Sequence, residues 1–205
     1  MKKESGLPAR LLLLIGRRIE MSSEKSYLSQ KKVLAVDDEE DVLDTIEEIL
    51  ESARVDRAQD FDSALEKIRL QPYDLAILDI MGVNGLGLLE KTVEKNIPTV
   101  MLTAHAMNPE TLMASIRKGA IFYIPKEKLA QLDEILNELF AAMAAGKATW
   151  QILFETLGDY FTEKFGPEWK EKDKEFWSDF SRTYQVAKGA QTRIMHDERV
   201  KSKGI

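Results

Sequence analysis

Apolar and polar positions follow two alternating rhythms along this chain. Val33–Val36, Leu75–Leu78, Thr99–Leu102 and Ile121–Ile124 are short and almost wholly apolar, as strands buried on both faces are. Between them, apolar residues recur every three or four positions. Asp41–Ala53 carries Val42, Thr45, Ile46, Ile49 and Leu50 at helical spacing, and a short Val55–Ala58 strand follows. A second helix runs through Ala64, Leu65 and Ile68 and stops at Gln71-Pro72. Gly82 to Gly87 is a glycine-rich loop that leads to a helix near Leu88–Glu94. Asn108-Pro109-Glu110 opens the next helix, since proline suits a first helical position, and Gly119-Ala120 ends it. Lys128–Ala145 reads as the last helix of this stretch. Strands that alternate with helices in this order predict a doubly wound, five-stranded parallel sheet of the flavodoxin-like kind.

The ends of the chain differ from this middle. The last 57 residues hold 10 of the 16 aromatic residues and all three tryptophans. Trp150, Leu153, Phe154, Leu157, Phe161 and Phe165 share one helical face. Gly166-Pro167 is a stop followed by a start, and Trp169, Phe176, Trp177, Phe180 and Tyr184 make a second stripe. These features predict a C-terminal αα-hairpin at about residues 149–188, within an extension of residues 147–205 whose end frays. The stripe must be covered by its own second helix, by the preceding domain or by another chain, and dimerisation has a slight edge. Residues 1–30 read as an ill-ordered extension. The Leu11–Ile15 run is too short for a signal core or a membrane span, and Met21 is a plausible alternative start.

The chemistry lies where the apolar runs stop. Val36 is followed by Asp37-Asp38, Leu78 by Asp79, Leu102 by Thr103-Ala104, and Ile124 by Pro125-Lys126. In an open parallel sheet, ligands bind outside the carboxyl ends of the strands, so three carboxylates, a hydroxyl and an ammonium meet at one rim. Crowded carboxylates repel one another unless a cation relieves them. An oxygen-only set suits Mg²⁺, with Mn²⁺ as the alternative, and the lysine and hydroxyl suit a transferred phosphoryl group. Charge agrees. Residues 33–148 hold 11 basic and 22 acidic side chains, within a net charge of −6 for the whole chain. Such a domain is a poor direct ligand for nucleic acid. There is no cysteine, which excludes disulfides and thiolate chemistry and fits a cytoplasmic location.

From about Lys31 to Met143, within a domain of residues 31–146, the chain resembles a response-regulator receiver domain of two-component signalling. The Asp pair after strand one, the Asp after strand three, Thr-Ala after strand four and Lys after strand five stand in the family's order. The resemblance implies that Asp79 accepts a phosphoryl group, that Asp38 binds Mg²⁺ directly and that Asp37 does so through water. It implies the backbone carbonyl of Met81 as a further metal ligand. Lys126 would pair with Asp79 at rest and with a phosphoryl oxygen afterwards, and Thr103 would donate to another. Tyr123 falls where the family places its switch aromatic and would pass from exposed to buried. The implied partners are a sensor histidine kinase or a histidine phosphotransfer protein. Output would run through a downstream protein or a homodimer, by way of the C-terminal helices or the last receiver face, with no DNA-binding domain and no catalysis beyond its own phosphorylation and dephosphorylation.

Two departures stand out. Gly82 replaces the family's usual proline after Met81, which leaves the loop more freedom. Glu127 replaces the usual proline after Lys126, and the bond there is expected to be trans. His105, two residues after Thr103, could lean over the site or stay in solvent. Glu39, Glu40 and Asp41 read as solvated acids at a helix start. His196-Asp197-Glu198-Arg199 lacks the apolar residue and proline of a kinase phosphoacceptor box. A phosphatase or phosphotransferase with Asp79 as nucleophile is the rival reading, but its class wants a second aspartate where Met81 stands. A scaffold with an incidental receiver is the third.

Overall fold

The computed structural model describes residues 26–104, 108–171, 174, 176 and 177. Its elements are β1 (Lys32–Val36), α1 (Glu40–Ile49), β2 (Arg54–Ala58), α2 (Phe61–Leu70), β3 (Leu75–Asp79) and α3 (Gly85–Glu94). They continue with β4 (Thr99–Thr103), α4 (Pro109–Lys118), β5 (Phe122–Pro125), a 3₁₀ turn (Lys126–Gln131), α5 (Leu132–Ala144) and α6 (Thr149–Phe165). The five strands form one parallel sheet in the order β2-β1-β3-β4-β5. The chain reverses its direction of winding between β1 and β3, so a crevice opens beyond their carboxyl ends. The expected flavodoxin-like sheet is present, and helices follow it at the C-terminus.

Element boundaries moved where local hydrogen bonding decided them. α1 stops at Ile49, short of the expected Ala53, because the Ala53 amide closes a turn on the Leu50 carbonyl at 2.8 Å. α3 starts at Gly85 instead of Leu88. The Gly85 amide donates to the Ile80 carbonyl at 3.1 Å, folding the helix start tightly under β3. α5 starts at Leu132, since Lys126–Gln131 forms the 3₁₀ turn. Asn108 opens α4 as expected: its side chain accepts from the Thr111 amide at 2.7 Å, with Pro109 in the first turn. Residues 27–30, expected to lie in a loose extension, form a turn whose Leu28 is fully buried. Asn137 of α5 ties that turn down, accepting from Ser26 Oγ at 3.1 Å and the Tyr27 amide at 2.8 Å.

The two edges of the sheet differ. β2 is largely half-exposed, whereas every residue of β5 is buried. An uncovered edge strand invites pairing with other chains, and here β5 is covered by α6. The Phe161 ring meets the Tyr123 ring edge-on at 6.4 Å between centroids. The second aromatic stripe turns back at Gly166: Trp169 packs on Phe154, Phe161 and Phe165, and Trp177 packs on Phe154 and Trp169. Trp150, Trp169 and Trp177 are all buried. Two of the three expected covers for the stripe are thus in use, its own returning segment and the receiver. Phe180, Tyr184, His196 and residues 1–25 lie outside the described residues. Among the described residues, no helix is long and apolar enough to cross a membrane.

Candidate functional site

β1 and β3 run side by side with Val36 opposite Leu78, so Asp37 and Asp79 leave the sheet next to each other. β4 and β5 pair Thr103 with Pro125, which brings Thr103 and Lys126 to the same rim. Asp37, Asp79 and Thr103 are buried there, and Asp38 is exposed at its border.

Lys126 sits at the centre. Its Nζ lies 3.1 Å from Asp79 Oδ1 and 2.8 Å from Asp37 Oδ2, and it donates to Asp37 Oδ1 at 3.0 Å. It also donates to Glu39 Oε1 at 2.8 Å. Burial alone would pull the Lys126 ammonium down, but its hydrogen bonds to Asp37, Glu39 and Asp79 outweigh that and hold it above the usual lysine range. Asp37 is shifted the other way for a carboxylate. Its burial raises the pKa more than Lys126 and the Glu39 amide lower it, and the charge of Asp79 adds to the rise. Asp37 Oδ2 is buried and accepts no hydrogen bond among the described residues, the Lys126 contact lacking hydrogen-bond geometry.

Asp79 is held from its other side. Its Oδ2 accepts from the Met81 amide at 2.8 Å and the Gly82 amide at 3.0 Å. The Met81 side chain points into solvent at 68% exposure, so only its backbone serves the site. Gly82 lies directly against the carboxylate of Asp38: a Cβ there would be 1.9 Å from Asp38 Oδ1. The glycine that replaces the family's proline therefore sets where Asp38 can rest. Thr103 Oγ1 donates to the carbonyl of exposed Ala104 at 3.4 Å. His105 lies outside the described residues. The Lys126–Glu127 bond is trans, as expected.

Tyr123 is wholly buried beneath Phe161, so the exposed resting position expected from the family resemblance is not the one the chain adopts. Burial pushes its hydroxyl up to about 12, with Thr103 beside it acting in the opposite direction. That hydroxyl makes no hydrogen bond of normal geometry among the described residues.

Two acids here carry more than their sequence context suggested. Glu39, read as a solvated cap, makes no cap bond and instead grips Lys126. Glu127 accepts from the Tyr160 hydroxyl and pairs with Lys164 Nζ at 3.2 Å, both on α6. The signal for Glu39 was its place two residues beyond Asp37 at the rim. For Glu127 it was only the departure from proline.

A family model described as the response regulator receiver domain matches residues 33–138, just over half of the chain. Response regulator GtcR of Aneurinibacillus migulanus is 31% identical over 120 residues, which make up 54% of this chain and 49% of that protein. Phosphate regulon transcriptional regulatory protein PhoB of Escherichia coli K12 is 29% identical over 122 residues, 53% of each chain. The chain thus spans about half the length of these two relatives. Among solved structures, a CheY-like response regulator receiver domain protein from Methanospirillum hungatei JF-1 shows 30% identity and a TM-score of 0.49. The match covers 58% of this chain and 100% of that one. With residues 33–138 matched and the sheet order and rim in place, the chain belongs to the response regulator receiver domain family of two-component signalling.

Proposed function

We propose that this chain takes a phosphoryl group onto Asp79 and passes the resulting change to another protein. The observation that carries the reading is the Lys126 ammonium held 3.1 Å from a buried Asp79 carboxylate, with a second buried carboxylate, Asp37, in the same grip. A carboxylate oxygen of Asp79 attacks phosphorus as the bond from phosphorus to the donor breaks. With phosphohistidine the departing imidazole nitrogen takes a proton, and with acetyl phosphate acetate leaves. The aspartyl phosphate gains oxygens that Lys126 and Thr103 are placed to meet, since both stand at the rim.

The residues fit a divalent cation. Asp37 Oδ2 is buried without a hydrogen bond, Asp38 is exposed beside it, and the available donors are all oxygens. Among the described residues no three acidic or imidazole groups already converge as a cage. Mg²⁺ does not require one, because it keeps several waters and takes one or two carboxylates. Asp38, Asp37, Asp79 and the Met81 carbonyl would hold it. When bound, the ion would neutralise charge on the transferring phosphoryl group.

The donor would be a histidine kinase or histidine phosphotransfer protein, and the output would be a protein contact. The chain would catalyse nothing beyond gain and loss of its own phosphoryl group. A phosphatase would want an acid two residues after Asp79, where the exposed Met81 stands. The test is labelling with radioactive acetyl phosphate and Mg²⁺. Wild type is expected to acquire acid-stable, base-labile label, and EDTA or Asp79→Ala is expected to remove it. Label that survives in Asp79→Ala would overturn the assignment.

A further inference from the structure

A lysine ammonium carries three N–H donors and no more. In Lys126 one goes to Asp37 Oδ1 at 3.0 Å, one to Glu39 Oε1 at 2.8 Å, and the third faces Asp79 Oδ1 at 3.1 Å. A phosphoryl oxygen can therefore reach this cation only by displacing one of three acids. The three are not equally able to let go. Asp37 and Asp79 are buried, so a carboxylate released at either has little water to turn to. The Glu39 side chain is 61% exposed, and water can take over its bond. Among the described residues its carboxylate bonds nothing else. Its backbone is fixed, because the Glu39 amide donates to Asp37 Oδ1 at 3.0 Å. That bond pins the residue at the rim and leaves only the side chain free to swing.

We propose that the Glu39 carboxylate is a displaceable stand-in for a phosphoryl oxygen on Lys126, and so a positioning residue that sets how readily the site takes up a phosphoryl donor. The inference rests on the phosphoryl-acceptor reading above and adds the group that must yield. When a donor arrives, one of its phosphoryl oxygens accepts the N–H that Glu39 releases, and the carboxylate turns out into solvent. Asp37 and Asp79 keep their contacts with Lys126. Only hydrogen bonds are exchanged in this step, and Lys126 keeps its charge. The phosphoryl oxygen, itself charged, makes the stronger bond because it meets the ammonium at a site that Glu39 reaches only from the solvent side. A donor thus competes with an acid of the chain itself for one N–H. Contact, and not the mere presence of negative charge, makes the competition. A carboxylate too short to reach Lys126 would leave that N–H open.

Two variants of the full chain separate contact from charge. Glu39→Ala removes both, whereas Glu39→Asp keeps the charge on a side chain one methylene shorter. Glu39 is exposed and makes no cap bond, so both variants are expected to keep the fold, checked by tryptophan emission. Initial labelling rates are measured over a range of acetyl phosphate concentrations at saturating Mg²⁺. Both variants are expected to lower the half-saturating concentration about fivefold, with a smaller change in the maximal rate. Beryllium fluoride, which mimics the phosphoryl group without turnover, is expected to bind both more tightly by the same factor, read by fluorine NMR. Unchanged or raised half-saturation in Glu39→Ala overturns the inference and leaves the acceptor reading standing. A gain in Glu39→Ala with Glu39→Asp at the wild-type value assigns the effect to charge alone and overturns it as well. Absence of label and of beryllium fluoride binding in all three proteins overturns the acceptor reading, and the inference with it.

Discussion

Single residues at the rim are fitted to one another closely enough that a methyl group matters. At Gly82 an added Cβ would meet only the tip of Asp38, which can swing aside. Gly82→Ala is therefore expected to keep its melting temperature but bind Mg²⁺ about tenfold more weakly, read by titration calorimetry. Unchanged affinity would mean that Asp38 is not a ligand. At Gly85 the obstacle is backbone: a Cβ would lie 1.9 Å from the Asp79 carbonyl oxygen. Gly85→Ala is expected to lose roughly 1–3 kcal/mol of stability in denaturant unfolding, because the strand end itself must move. Away from the rim, Asp74 accepts from Lys31 Nζ at 2.8 Å and the Lys32 amide at 2.9 Å, which holds its pKa below the usual carboxylate range. A depressed pKa favours the fold above the unfolded value and loses that favour as pH falls through the folded one. Asp74→Asn is thus expected to be less stable at pH 7 and to converge on wild type as pH falls below the usual carboxylate range. The side chain is 40% exposed, so screening keeps the difference below about 1 kcal/mol. A constant gap across pH would assign the effect to lost packing instead.

Elements show where the sequence spoke clearly and where it could not. The ends of β1, β3, β4 and β5 were legible because each is an apolar run cut off by one polar residue, and parallel pairing sends all four to one rim. The start of α3 was hidden, since glycine disfavours helices by propensity and only tertiary structure explains it: the Gly85 amide donates to the Ile80 carbonyl, and the backbone there runs too close to the Asp79 carbonyl for a Cβ. The aromatic stripe of α6 was legible, but its seat was not. No periodicity links Glu127 to Tyr160 and Lys164, or Tyr123 to Phe161, because these are long-range contacts fixed by tertiary packing. Phe161 is fully buried between Tyr123, Phe165 and Trp169. Phe161→Ala is expected to cost about 3–5 kcal/mol of the packing that holds α6. All three tryptophans lie in that segment and are buried, so their emission is expected to shift to the red in this variant. Wild-type emission that already matches water-exposed indole would contradict the seat itself.

Across the described residues, the acidic receiver and α6 with its returning segment form one packed body, joined at β5 and the turn that follows. Glu39 and Glu127 bracket the same lysine segment, one on the acceptor side and one on the α6 side. The proposed function depends on Asp79 being the residue that accepts the phosphoryl group. An aspartyl phosphate can be reduced by borohydride, which marks the residue that carried it. Full-length protein is treated with acetyl phosphate and Mg²⁺, reduced, digested and sequenced by mass spectrometry. Conversion of Asp79 alone to homoserine is the result expected. Homoserine at Asp37, Asp38 or elsewhere, with Asp79 unmodified, would contradict the account.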